Sequence, residues 1–116
     1  MEIFGDTIGM LGKAMDLRRE NQRIIASNVA NLDTPGYTAQ RLDFQASMDN
    51  AVRGMKEPAV IEPSDDAGNS LDGNNVNLEN ELSAMSQNRV MYSLSALIMG
   101  NKFRQISNLL DQDQNS

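Results

Sequence analysis

Apolar residues recur in alternating steps of four and three along two long stretches of this chain, one toward each end. In the first, Phe4, Ile8, Leu11, Met15, Arg18, Gln22, Ile25, Val29 and Leu32 place seven apolar side chains in nine positions. The second runs Leu78, Leu82, Met85, Arg89, Tyr92, Ala96, Met99, Phe103, Ile106 and Leu110, interrupted only by Arg89. This period keeps one stripe facing a neighbouring helix, so two long helices are predicted that pair in coiled-coil fashion. At 1.5 Å per residue the arms would be about 40 and 50 Å long. The second arm carries further apolar residues off its seam, at Val90, Leu94, Leu97, Ile98 and Leu109. One partner helix cannot cover so wide a stripe, which predicts that more helices pack there. Arg18, Gln22 and Arg89 either set the register of the seam or extend their polar ends to solvent. Gly5, Gly9 and Gly12 weaken the start of the first arm, each by up to about 1 kcal/mol.

Between the arms the period is lost. The chain therefore divides into an N-terminal helical arm (1–33), a polar middle (34–76) and a C-terminal helical arm (77–116), the arms forming one domain. The first helix should stop near Leu32 or Asp33, because Pro35 disfavours the α conformation at Thr34. Pro35 and Gly36 fit the central pair of a type II turn, with Gly36 supplying the positive φ and Tyr37 following as an aromatic anchor. Asp43–Met55 reads as a short amphipathic helix with Phe44, Met48, Val52 and Met55 on one side. The run EPAVIEPSDDAGNSLDGNNV is loop or extended chain by its Pro, Gly, Asn and Asp content. The fold class expected is mainly α, with two long terminal helices and a short, partly extended middle.

Composition narrows the chemistry. The 116 residues suffice for one core, and 10 Lys+Arg against 16 Asp+Glu give a net charge of −6. No basic face for phosphates is indicated, so no nucleic-acid partner is expected. Cys and His are both absent, which removes disulfides and thiolate or imidazole metal sites. Residues 43–81 hold nine acids against Arg53 and Lys56. The Asp65-Asp66 and Asp72-Gly73 cluster nevertheless lacks the alternating ligands and closing Glu of a calcium loop. Gly9–Lys13 has neither the spacing nor the Ser/Thr of a phosphate loop. No catalytic residues, cofactor or small-molecule substrate are expected. The first 22 residues lack the basic start and apolar run of a secretory signal, and the uncharged run Val90–Asn101 is too short to span a bilayer.

One stretch is far more specific than a helix stop. NQRIIASNVANLDTPGYTAQRLDF resembles the N-terminal signature of the flagellar rod, hook and hook-associated proteins, the axial family. Its hallmark is a helix ending in Ser-Asn-x-Ala-Asn before a Thr-Pro-Gly-Tyr-like corner. The short chain and SLDGNNVNLENELSAMSQNRVMYSLSALIMGNKFRQI are similar to the proximal-rod members. The resemblance implies that the arms pair as a core domain whose copies stack helically, transmitting torque and lining the export channel. It implies contacts with copies of itself, other rod subunits, a rod-base adaptor, the membrane-ring protein and the flagellar export apparatus. It also implies export to the periplasmic rod without a cleaved signal. Its interface and signature residues would be Ser27, Asn28, Ala30, Asn31, Thr34, Pro35, Gly36, Tyr37, Arg41 and Phe44. From the second arm, Leu82, Met85, Tyr92, Leu97, Met99, Phe103 and Ile106 would join them. The alternative role for the same heptads is a small helical adaptor or export chaperone that holds one partner helix.

Overall fold

The computed structural model describes residues 2–65 and 72–114, with side chains from residue 5 onward; Asp66 and the side chain of Phe4, both considered above, lie outside that range. The elements follow in the order α1 (Glu2–Ala30), β1 (Gln40–Leu42), α2 (Phe44–Val52), β2 (Ile61–Pro63) and α3 (Leu78–Gln114). The molecule is a rod, 72 × 26 × 16 Å. Its length is set by α1 and α3, whose 29 and 37 residues correspond to about 43 and 55 Å of helix.

The two long helices run antiparallel. Asn28 of α1 meets Glu81 of α3, and one heptad further along Asn21 meets Asn88. Across this seam the apolar core is small, comprising Leu17, Ile24 and Ile25 of α1, with Ala39 and Ala51 from the middle segment. Buried Asn28, Glu81 and Asn88 share the interface with them. The Asn88 amide donates to the carbonyl of Arg18 and to Gln22 Oε1, at 2.9 and 3.3 Å. The predicted pairing of arms is therefore present, with Met85, Tyr92, Met99 and Ile106 of the expected seam half-buried toward α1 and the polar Glu81 and Asn88 buried beside them. On α3, Leu82 is exposed, whereas its neighbour Glu81, and Asn88 one heptad further on, are buried facing α1. The physical reason is that Asn28 and Asn21 supply hydrogen-bonding partners that only the polar side of α3 can satisfy.

The middle segment folds back on α1. β1 and β2 form a two-stranded antiparallel sheet in which Gln40, Arg41 and Leu42 face Pro63, Glu62 and Ile61. Asp43 caps α2, accepting from the Ala46 amide at 3.0 Å. The helix stops at Val52, three residues before the predicted end at Met55. Gly54, at φ +82°, closes a Schellman motif in which Met55 N–H reaches the Asn50 carbonyl and Gly54 N–H reaches that of Ala51. Its buried face is Ser47 and Ala51, while Val52 and Met55 are exposed. Ser47 Oγ donates to the Asp43 carbonyl at 2.6 Å and accepts from Val60 N–H at 2.8 Å, which fastens α2 to the extended segment before β2.

Candidate functional site

The corner that ends α1 is built around two buried asparagines. Asn28 is 1% exposed and uses all four of its hydrogen-bonding positions. Its Oδ1 accepts from Tyr37 O–H at 3.1 Å and Gln40 N–H at 3.0 Å. Its Nδ2 donates to the Gln40 carbonyl at 2.7 Å and to both Glu81 carboxylate oxygens at 3.1 Å. One side chain thus holds α1, the start of β1 and α3 together. Ser27 Oγ lies 3.4 Å from Tyr37 O–H, so the aromatic ring is bracketed by two consecutive residues of α1.

The expected turn is present: Tyr37 N–H donates to the Thr34 carbonyl at 3.2 Å, and Gly36 has φ +74°. The helix itself ends earlier than Leu32, at Ala30. Asn31 and Leu32 leave the helical path because Asn74 takes their carbonyls. Asn74 Nδ2 donates to the carbonyls of Asn31, Leu32 and Thr34 at 2.9, 3.1 and 2.7 Å, and its Oδ1 accepts from Val76 N–H at 2.7 Å. This is a C-terminal cap contributed from 40 residues downstream. The adjacent Asn75 Oδ1 accepts from Ala39 N–H at 2.6 Å, and Gly36 N–H donates to the Asp72 carbonyl at 2.7 Å. Gly73, at φ +78°, passes so near that a Cβ there would sit 3.5 Å from the Gly36 Cα. Sequence reasoning treated Asp72–Asn75 as loop. The available signal was that two consecutive Asn residues, just before a helical arm, match the need of the other arm for a cap.

The other predicted site residues lie in several places. Asn31 accepts the Thr34 hydroxyl at 3.0 Å and belongs to the corner, whereas Ala30 and Pro35 are exposed around it. Arg41 sits outside, near Glu62 and Asp65 at 3.4 and 3.2 Å, in an exposed ion pair of little energetic weight. Phe44 lies beneath Arg18, whose guanidinium carbon is 3.8 Å from the ring centroid, and burial there lowers the Arg18 pKa from its ordinary value. On α3, Met85, Tyr92, Met99 and Ile106 are half-buried toward α1, and the Met99 methyl lies over Gly12. Leu82, Leu97 and Phe103 face solvent.

The uncovered face of α3 is the second feature. Leu78, Leu82, Val90, Met91, Leu94, Leu97, Ile98, Phe103, Leu109 and Leu110 are all exposed, Val90 at 64% and Leu97 at 58%, and they spread around most of the helix, with one ridge pointing directly away from α1. Val90, Leu94 and Leu97 follow a heptad step on the side of the helix away from Glu81 and Asn88. Among the described residues no group of His, Cys, Asp and Glu is placed to hold a metal, and no helix is long and apolar enough to cross a membrane.

The family described as Flagella basal body rod protein matches residues 10–38, most of α1 together with the corner. The flagellar basal body rod protein FlgB of Salmonella typhimurium is 31% identical over 121 residues, covering 84% of this chain and 88% of its own. The chain belongs to the FlgB family of flagellar basal body rod proteins. FlgB of Bacillus subtilis is 27% identical over 95% of this chain and 97% of its own, and that of Borrelia hermsii 28% over 92% and 97%. These FlgB matches run through both arms and the middle, so the corner and the cap that completes it fall within the shared length.

Proposed function

We propose that this chain is a structural subunit of the bacterial flagellar basal-body rod, assembling through its two terminal helices with copies of itself and with other rod subunits. Its relatives are named as rod proteins, and the reading gives the chain no reaction to catalyse. The observation that carries the assembly mechanism is the face of α3. Of the fourteen large apolar residues exposed among those described, ten lie on this one helix. Exposed apolar surface of this extent on one helix marks an interaction surface, and a rod built of packed helices covers it from several sides.

The finer parts of the reading are proposed from the resemblance to the axial family. The rod lies in the periplasmic space, and the chain reaches it through the flagellar export apparatus without a cleaved signal. There it contacts the rod-base adaptor and the membrane-ring protein, lines the channel and helps to transmit torque. The small, partly polar core between α1 and α3 suits this route, because arms that gain much of their stability on assembly need little to unfold for export. The corner residues Ser27, Asn28, Asn31, Thr34–Tyr37 and Asn74 then act as the bracket that fixes how the middle segment leaves the helical pair. Deleting the gene and restoring it in trans tests the reading. Loss of the rod and of swimming, both recovered on complementation, is expected; intact rods in the deletion strain would overturn it.

A further inference from the structure

The middle of α3 differs in charge from the rest of the chain. Residues 82–110 contain Arg89, Lys102 and Arg104 and no acid, although the whole chain has a net charge of −6. Three positive charges there leave nine net negative charges on the remainder. Arg89 and Arg104 have no carboxylate partner among the described residues. Arg104 lies one heptad beyond Leu97, continuing the outward line of Val90, Leu94 and Leu97. The helix therefore presents an apolar ridge ending in a cation.

A groove of matching character lies on another side of the molecule. It runs between α1 and the segment leading into β2, with a floor of Leu17, Ala51, Pro58, Ala59 and Ile61. On its rim stand Lys13 and three acids, Asp16, Glu20 and Glu57. Asp16 pairs with Arg19 and Glu20 with Arg23, whereas Glu57 has no ion-pair partner among the described residues. The chain cannot fill this groove with its own ridge, because α3 lies along α1 with the ridge turned away from it.

We propose that the groove receives the Val90–Arg104 ridge of a second copy of this chain, with Leu94 and Leu97 on the apolar floor and Arg104 beside Glu57. The proposal rests on the rod-subunit reading and names the contact between neighbouring copies. Ridge and groove are different surfaces of one molecule, so the contact is heterologous and repeats head to tail; with a rotation that does not close into a ring, repetition adds subunits along a helical path. The apolar pairing supplies the association and the charges fix its direction and register.

The absence of native cysteine makes a crosslinking test clean. One tagged copy carries Ala59→Cys in the groove floor, and a differently tagged copy carries Ser93→Cys beside the ridge. Both are expressed together in the deletion strain, and oxidised basal bodies are purified. A disulfide-linked dimer bearing both tags is expected, and pairs of two like copies are expected to give none. Arg104→Glu in the ridge copy should lower the yield about fivefold, the upper range for a rim charge pair, and Glu57→Arg in the groove copy should restore it. Both chains present in basal bodies without the mixed dimer, or a crosslink from Ser93→Cys to some other protein, overturns the contact while leaving the rod reading intact. Absence of both chains from basal bodies overturns the rod reading itself.

Discussion

Asn74→Asp is the sharpest single test of the corner, because it changes one NH₂ group to oxygen and leaves the shape unaltered. Asn74 is 4% exposed, and its two amide hydrogens serve the carbonyls of Asn31, Leu32 and Thr34. Losing two side chain-to-backbone bonds costs about 2 kcal/mol, whereas Asn74→Ala also gives up the bond from Val76 N–H and costs about 3 kcal/mol. The aspartate adds a buried negative charge facing three carbonyls, so its total cost at pH 7 should be about 3 kcal/mol. That charge is relieved by protonation, hence the folded-state pKa of the new carboxyl is raised above its unfolded value of about 3.9. The extra cost is then absent below the unfolded pKa and grows as pH rises toward the folded one. Urea unfolding, followed by helical circular dichroism in buffer containing trimethylamine oxide to favour the folded chain, reads both effects. Relative to the alanine variant, the aspartate variant should lose about 1 kcal/mol of stability between about pH 3.5 and pH 7.5. A difference between the two variants that does not change across that range, or losses below about 0.5 kcal/mol, would refute the cap.

Other outcomes follow from the same geometry. The purified wild-type chain alone should show partial helicity and a broad thermal transition by circular dichroism, whereas a sharp transition would contradict a subunit completed by its neighbours. Gly36→Ala should cost about 1 kcal/mol and make swimming temperature-sensitive, because φ is +74° although no atom lies within 4 Å of the new methyl. Replacing the Asn21–Asn88 layer by Leu at both positions should raise the urea midpoint while reducing motility, since the apolar pair is stronger but no longer fixes register. Leu97→Ser should leave the helicity of the free chain unchanged and block incorporation into rods, as shown by basal bodies lacking the chain.

Much of the architecture was legible because it rests on local signals. Two proline-free heptad stretches specified the arms, and Thr34-Pro35-Gly36-Tyr37 specified a turn whose hydrogen bond and positive φ are both present. The orientation of the stripe on α3 was not legible, because periodicity locates the apolar side and does not say what covers it. Here the side that meets α1 carries Glu81 and Asn88, and a large part of the apolar side is left outward. Arg18 and Gln22 were marked as candidate register residues; the interface layers themselves are formed by Asn21, Asn28, Glu81 and Asn88, with Gln22 accepting from Asn88. The cap by Asn74 was hidden for a different reason. It joins residues 40 to 43 apart, and polar Asn in a Gly-rich segment ordinarily signals only a loop. The early end of α2 was written in Gly54, whose C-cap role the apolar pattern through Met55 obscured.

Quantitative mass spectrometry of purified hook–basal bodies tests the central claim most directly. Basal bodies from the wild type should contain this chain in fixed ratio to the other rod proteins, and those from the Leu97→Ser strain should lack it. Recovery of the chain only in the cytoplasm, bound one-to-one to a single partner while rods remain intact, would contradict the account.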